Sequence, residues 1–189
     1  MSNLFFTSDL HLGHENIIGF CNRPFKSVYH MNTSLIRNWN QRVKPVDEVI
    51  FLGDFCFRNT AGGKTGEGGQ TLAKEYLEQL NGHITFVRGN HDNNNSLNTK
   101  IESLVLNAGG FNIFCTHRPI DVVLDYPLCL VGHVHDLWKS KQLVEKGDST
   151  WMINGGVDVW KYRPVSLAEV LAEFEKQRKG EMREHEPLP

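Results

Sequence analysis

Residues 4–14 read LFFTSDLHLGH, a short apolar run that stops at Asp9 and His11. Runs of this kind are typical of buried strands in an α/β sheet, because strands covered on both faces are apolar throughout rather than alternating. Ligands in such sheets bind beyond the carboxyl ends of the strands. The stretch therefore predicts a first strand at residues 4–8 that presents two metal-ligating side chains at a sheet edge.

The same junction between an apolar run and a polar ligand recurs along the chain. Asp9 and His11 are two positions apart, so both point to one side of an extended segment. One such pair is weak support for a metal site, but five junctions in one chain are improbable as coincidences. We therefore expect these side chains to gather at one sheet edge and hold metal. The further junctions lie at Val49 to Asp54, Ile84 to Asn90 and His91, Ile113 to His117, and Leu128 to His133 and His135.

Strands alternate with helices in the first half of the sequence and crowd together in the second half. The spacing of apolar residues predicts helices at 15–21, 33–43, 72–80 and 97–105. Ser166 and Glu169 have the spacing of a capping box for a last helix. This order predicts a mixed sheet or a two-sheet sandwich with helices outside, in the α/β or α+β class. Further strands are predicted at 49–52, 84–87, 111–115, 128–131 and 150–153, with loops at 59–69 and 93–98.

Length and charge limit the classes that the protein can belong to. A chain of 189 residues is long enough for one well-buried core and short for two domains. We expect a single domain over residues 1–178 and a disordered tail over residues 179–189, which are charged and end in proline. The net charge of −2 argues against the broad basic surface of a protein that holds duplex DNA.

The cysteines and the apolar segments bear on the cellular location. The four cysteines are dispersed and form no Cys-x-x-Cys pair, so we expect reduced thiols. We find no charged leader before a long apolar stretch, and no segment approaches the roughly 18 apolar residues of a membrane span. These features predict a cytoplasmic protein without a membrane partner, and they leave the oligomeric state open.

Residues 62–65 read GGKT, like the end of a phosphate-binding P-loop. That motif requires a glycine five positions before Gly63, and Arg58 stands there instead. We therefore reject a nucleotide triphosphatase of the P-loop class.

Five short blocks occur in order along the chain: Asp-x-His at 9–11, Gly-Asp at 53–54, Gly-Asn-His-Asp at 89–92, a lone His117 after a strand, and Gly-His-x-His at 132–135. Together they resemble the blocks of the calcineurin-like metallophosphoesterase superfamily. A small subfamily of bacterial and phage phosphoesterases is similar over nearly the whole chain. The glycine-rich stretch at 61–69 departs from that subfamily and leaves the role of the 59–69 loop open. The subfamily resemblance is carried by residues 7–14, 16–18, 21–24, 39–40 and 157–160.

This resemblance implies a four-layer αββα sandwich with two divalent metal ions at its sheet edge. Mixed imidazole, carboxylate and amide ligands suit Mn, Fe, Zn, Co or Ni better than the all-oxygen sites of Ca or Mg. We expect manganese. By the same resemblance, Asp9, His11, Asp54 and His135 hold one ion, while Asp54, Asn90, His117 and His133 hold the other, with Asp54 as the bridge.

Charge explains why such a site would take a phosphate group. Two divalent ions bring four positive charges, and Asp9 and Asp54 return two negative ones, so the site is cationic. With ions about 3.5–4 Å apart, a metal-activated hydroxide attacks phosphorus in line. His91 is the predicted general acid that protonates the leaving oxygen, and Asp92 is predicted to orient it.

The expected activity is that of a dinuclear-metal phosphoesterase, acting as a phosphodiesterase or as a phosphatase on a small, nucleotide-like ester. A nucleic-acid end is a further candidate substrate, and the ligand set does not separate diester from monoester. His14, Arg58 and Arg118 are the predicted substrate contacts, since an arginine fork suits phosphate. The alternative is a metal-binding scaffold or interaction protein without turnover. The complete set of ligands and His91 favours the enzyme.

Overall fold

The computed structural model of the chain describes residues 2–57, 72–92 and 97–184, with side chains described up to residue 180. Four helices are formed in these parts of the chain: α1 (Asn16–Phe20), α2 (Val28–Arg42), α3 (Ala73–Leu77) and α4 (Leu167–Glu184). The strands are β1 (Leu4–Thr7), β2 (Glu48–Phe51), β3 (His83–Phe86), β4 (Ser103–Ala108), β5 (Phe111–Thr116), β6 (Leu128–Val131), β7 (Ser140–Glu145), β8 (Asp148–Asn154) and β9 (Val165–Ser166).

The strands form two mixed sheets. The first has the order β3-β2-β1-β9, in which β1, β2 and β3 are parallel and β9 is antiparallel to β1. The second has the order β4-β5-β6-β8-β7, with a parallel centre of β5, β6 and β8 and an antiparallel strand at each edge. Two mixed sheets flanked by helices confirm the predicted fold class.

Alternation along the central strands places the first sheet between two cores. Phe5 packs with α2 residues such as Trp39, whereas its neighbour Phe6 packs with Ile113 and Leu128 of the second sheet. Successive side chains of a strand point to opposite faces, so the first sheet is covered by helices on one face and by the second sheet on the other. Both faces of the first sheet are therefore shielded from water, as the continuously apolar runs predict.

The helices begin at recognisable caps. Ser27 caps α2 because its hydroxyl accepts a hydrogen bond from the backbone N–H of His30 at 3.1 Å, and the helix therefore starts five residues before the predicted Thr33. The capping box of α4 is confirmed, since Glu169 accepts hydrogen bonds from the backbone and the hydroxyl of Ser166 at 2.9 Å. Among the residues described, no helix is both long and apolar enough to cross a membrane.

The helix predicted at 97–105 is wrong, because β4 occupies Ser103–Ala108 and pairs antiparallel with β5. Alternate residues of β4 are half-buried, which is the strand period of two. Gly109 and Gly110 have positive φ angles of 59° and 83° and close the hairpin. The strand β7, which pairs with β8 in a second hairpin, is also absent from the predicted strands.

Some predictions concern the end of the chain and its loops. Helix α4 continues past Lys179 to Glu184, so residues 179–184 are helical rather than disordered. The charged residues in this stretch are good helix formers, which explains why their charge is a poor signal of disorder. Residues 185–189 and the loop 59–69 lie outside the described residues. The single domain over 1–178 stays a prediction, as does the cytoplasmic location.

Candidate metal centre

Every predicted metal ligand lies just beyond the carboxyl end of a strand. Asp9 and His11 follow β1, Asp54 follows β2, and Asn90 follows β3. His117 follows β5, while His133 and His135 follow β6. Because parallel strands share the direction of their ends, these side chains meet at one edge of the two sheets.

The ligand side chains form two clusters. In the first, ligand atoms of Asp9, His11 and His135 lie within 4.8 Å of one another. In the second, ligand atoms of Asp54, His117 and His133 do so. The structure therefore brings together the two ligand groups that the sequence resemblance implies.

Asn90 belongs to the second cluster. Its side-chain oxygen lies 2.9 Å from Nε2 of His117 and 2.9 Å from Nδ1 of His133. Asp54 lies between the clusters, because its Oδ2 is 3.5 Å from Nε2 of His11 and 3.4 Å from Nε2 of His117. This is the position required of a bridging carboxylate.

Unsatisfied polar atoms test whether these residues fit a cation. Asp9 Oδ1 and His11 Nε2 are buried and have no hydrogen-bond partner among the described residues. They lie 3.9 Å apart, too far for a hydrogen bond and close enough for one ion to contact both. Buried polar atoms nearly always have a hydrogen-bond partner. A carboxylate oxygen and an imidazole nitrogen that both lack one, side by side, are suited to bind a metal ion.

Neighbouring groups orient the ligands. Nδ1 of His117 donates to the carbonyl of Leu52 at 2.7 Å, which leaves Nε2 as the nitrogen that faces the second cluster. The other oxygen of Asp9 accepts hydrogen bonds from the Ser8 hydroxyl at 2.5 Å and from the backbone N–H of His133 at 3.0 Å. The second bond joins the loops after β1 and β6.

Burial and mutual contacts shift the ionisation of the buried ligands in different directions. Burial raises the pKa of Asp54, but the hydrogen bond and charge of His117 outweigh it and hold that pKa at about 2. Burial lowers the pKa of His117, whereas its contacts with Asp54 and Asp9 raise it to about 9. Burial also lowers the pKa of His11 well below its usual value, so that imidazole is neutral. Asp54 is thus ionised at neutral pH, and His117 must release a proton when it binds a metal.

The backbone at the centre is strained. Five of the seven ligand residues have φ angles between 47° and 70°, in the left-handed region, where a residue with a side chain costs about 1–2 kcal/mol. Strain of this kind clusters at functional sites and persists only where the surrounding structure holds it. The five residues are Asp9, His11, Asp54, His133 and His135.

Glycines allow the ligand loops to approach one another. A Cβ added at Gly89 would lie 2.1 Å from Asp54 Oδ1, and one at Gly132 would lie 2.8 Å from Asp9 Oδ2. The glycines of the Gly-Asn-His-Asp and Gly-His-x-His blocks are therefore required by close packing against the carboxylates.

The side chains of His91 and Asp92 lie in different environments. His91 is exposed, and its ring centroid is 5.5 Å from that of His11, at the rim of the first cluster. Asp92 is buried and accepts hydrogen bonds from the backbone N–H groups of Asp54, Phe55 and Gly89 at 2.8–3.1 Å. Asp92 therefore joins the ligand loops after β2 and β3, and its predicted effect on His91 stays a prediction.

Of the three residues predicted to contact substrate, the two that the structure describes lie in different places. His14 stacks on Phe57 with ring centroids 4.2 Å apart and lies 5.6 Å from the ring of His11. Arg118 lines a cavity of about 400 Å³ next to Asn90 and His117, and it forms two hydrogen bonds with Asp121. Arg58 lies outside the described residues.

Two residues that the sequence analysis does not place in the site, Arg23 and Asp158, form a buried ion pair behind the first cluster. They are 135 positions apart, and each belongs to a stretch that carries the subfamily resemblance. That resemblance is the only sequence signal that could have drawn attention to them.

The chain is similar in sequence and fold to several known proteins. The chain is 37% identical over 180 residues to an uncharacterized protein, MJ1445, of Methanocaldococcus jannaschii, covering 93% of each chain. It is 31% identical over 105 residues to the gene 66 protein of Mycobacterium phage L5, covering 56% of this chain and 47% of that protein. A crystal structure of protein AQ665 of unknown function from Aquifex aeolicus superposes with a TM-score of 0.60 at 23% identity, covering 90% of this chain and 98% of that one. The model of the calcineurin-like phosphoesterase superfamily domain matches residues 3–172, and the chain therefore belongs to that superfamily.

Proposed function

We propose that the protein hydrolyses small phosphate esters with two divalent metal ions, one in each ligand cluster. Membership of the superfamily supports a metal-dependent phosphoesterase in general. The observation that carries the dinuclear proposal is the position of Asp54, whose Oδ2 lies within 3.5 Å of one imidazole nitrogen from each cluster. A carboxylate in that position can serve both ions at once.

The chain's own residues set the charge of the centre. When bound, two divalent ions supply Lewis acidity and a nucleophile for attack on phosphorus. Asp9 and Asp54 are the acidic ligands, and the remaining ligands are neutral imidazoles and an amide, so the loaded centre is positively charged. A phosphoryl group is attracted to such a centre.

His91 is the proposed proton donor to the leaving group. Its exposed ring at the rim can meet a substrate, and its backbone N–H donates to Asp54 Oδ1 at 2.9 Å, which fixes the residue against the bridging carboxylate. A ring nitrogen of His91 would give its proton to the departing oxygen of the ester. Proton donation of this kind is typically worth about 10²–10⁴ in rate.

The cavity beside the second cluster suggests where the rest of the ester lies. It holds about 400 Å³ and is lined by polar side chains, among them Arg88, Asn90 and Arg118. A volume of this size suits a small, nucleotide-like substrate. Both arginines are paired with carboxylates, Arg88 with Glu102 and Arg118 with Asp121, but these exposed ion pairs are weak and either could open to a substrate.

Hydrolysis of generic substrates tests the proposal. Metal-stripped protein is refilled with Mn, Fe, Zn, Co or Ni and assayed with p-nitrophenyl phosphate and bis-p-nitrophenyl phosphate. We expect turnover that depends on the metal, with Mn the most active, and the ratio of the two rates separates diester from monoester preference. No hydrolysis by protein that has bound two ions would contradict the proposal and favour the scaffold alternative.

A further inference from the structure

The buried pair of Arg23 and Asp158 lies directly behind the first ligand cluster. Their side chains are 0% and 1% exposed, and Nε and Nη2 of the guanidinium each contact one carboxylate oxygen at 2.8 Å. Removing two charges from water is costly, and a pair of this kind is often no more stabilising than apolar residues of the same volume. Stability alone therefore gives little reason for its presence.

Arg23 holds the turn that carries the first two ligands. Its Nη2 donates to the carbonyl of Asp9 at 2.7 Å, and its Nη1 donates to the carbonyl of Leu10 at 2.9 Å. Asp9 and His11 both have left-handed φ angles in this turn. The guanidinium fork thus fixes a strained backbone at the position where two ligands must point the same way.

Asp158 faces the last ligand. Its Oδ2 lies 3.6 Å from Nδ1 of His135, and that nitrogen is buried without a hydrogen-bond partner among the described residues. His135 belongs to two clusters, one with Asp9 and His11 and one with Cys21 and Asp158. An imidazole has two nitrogens, so it can serve a metal on one side and a carboxylate on the other.

We propose that Asp158 and Arg23 are positioning residues of the metal centre. The negative charge of Asp158, 3.6 Å from Nδ1 of His135, favours a proton on that nitrogen, so that Nε2 is directed to the ion shared with Asp9 and His11. Arg23 holds Asp158 in place and, through two carbonyls, holds the turn of the other ligands. A carboxylate behind a metal-ligating histidine fixes its tautomer and ring orientation and raises its basicity. The inference rests on the proposed function, because it requires metal at the first cluster.

The same side chains permit a competing interpretation, in which Cys21, His135 and Asp158 are themselves a metal site. Both oxygens of Asp158 already contact the Arg23 guanidinium at 2.8 Å. An ion placed there would lie beside a fixed positive charge and would compete with it for the same carboxylate. The geometry therefore favours a positioning role for Asp158 and leaves Cys21 as a buried thiol beside His135 rather than a ligand.

Titration of metal-stripped protein with MnCl₂ in a calorimeter tests the inference without relying on turnover. For Asp158→Asn we expect at least one Mn binding constant to fall by about 10- to 100-fold, as is typical when such a carboxylate is lost. The matched control is Glu169→Gln, which removes a carboxylate from contacts with Arg42 and Arg163 away from the centre, and it should bind Mn as the wild type does. Cys21→Ser should also leave Mn binding unchanged.

Each outcome decides the question. Wild-type Mn affinity in Asp158→Asn, or an equal loss in Cys21→Ser, would overturn the positioning role. If Asp158→Asn does not fold, the double variant Arg23→Met with Asp158→Asn leaves no buried charge unpaired, and it should show the same loss. Wild-type affinity in that double variant would overturn the inference. A wild-type protein that binds none of Mn, Fe, Zn, Co or Ni would overturn the proposed function itself, which distinguishes the two failures.

Discussion

Replacing Gly89 with alanine should displace Asp54, the proposed bridging carboxylate. The new Cβ would lie 2.1 Å from Asp54 Oδ1 and 2.3 Å from the backbone nitrogen of Asp54, far inside contact distance. Because one of these atoms is backbone, the clash cannot be relieved by a change of rotamer alone. The loops after β2 and β3 must separate, and the hydrogen bond from the His91 N–H to Asp54 Oδ1 breaks.

The expected loss of stability follows from two contributions. Overpacking of a tight site costs about 1–3 kcal/mol, and losing a hydrogen bond to a charged group costs about 1.5–3 kcal/mol. Their sum, about 2.5–6 kcal/mol, is a large part of the roughly 5–15 kcal/mol of a typical domain. Urea unfolding in the presence of chelator measures it, and Mn titration should show that two-ion binding is lost.

Gly19→Ala is the matched control for this variant. Gly19 lies in α1, and apart from its chain neighbours and the backbone of α1 no atom lies within 4 Å of the added Cβ, so the change should raise stability by up to about 1 kcal/mol through helix propensity. It should leave Mn binding intact. If Gly89→Ala unfolds at the wild-type urea concentration and still binds two Mn ions, close packing of Gly89 against Asp54 is not needed to hold the two ions.

Three further variants test other parts of the structure. His91→Ala should lower kcat by about 10²–10⁴ while Mn content stays unchanged, and unchanged turnover of either p-nitrophenyl substrate would contradict its role as the acid. Asp54→Ala should abolish two-ion binding and hydrolysis, and a full Mn complement measured by elemental analysis would argue against the bridge. The third variant is Glu169→Gln. Burial raises the pKa of Glu169, but hydrogen bonds from Ser166 and Arg163 outweigh this effect and hold that pKa at about 2, below the ordinary value of 4.5. Because the folded pKa is depressed, the stabilising contribution of Glu169 is present above about pH 4.5 and is lost as the pH falls toward 2. The gap in unfolding free energy between wild type and Glu169→Gln should therefore shrink between about pH 5 and about pH 3 in urea titrations, and a constant gap would refute the assignment.

The ligand positions could be predicted from the sequence because each depends on a local signal. An apolar run that ends in Asp, Asn or His marks the carboxyl end of a buried strand, and parallel strands bring such ends together without further information. His117 and His133 are 16 positions apart in sequence and meet through Asn90, as that rule predicts. The roles of these residues in catalysis stay predictions.

Other features depend on contacts or conformations that no local pattern contains. The apolar residues at 97, 101, 104 and 105 fit a helical period, but pairing with β5 makes residues 103–108 a strand. Arg23 and Asp158 are hydrophilic residues that usually lie at the surface, and only the folded chain shows that they bury each other. The left-handed backbone of five ligands is likewise invisible in sequence, because most histidines and aspartates have negative φ.

The strained backbone at the proposed ligands would affect any selection of variants for thermal stability. At positions such as His133 and His135, glycine would relax the left-handed conformation and relieve about 1–2 kcal/mol each. A library screened for heat resistance in chelating buffer would therefore enrich glycine at the positions that we propose as metal ligands. The variants selected in this way would be more heat-stable but catalytically inactive. Screening with Mn present would instead retain the histidines.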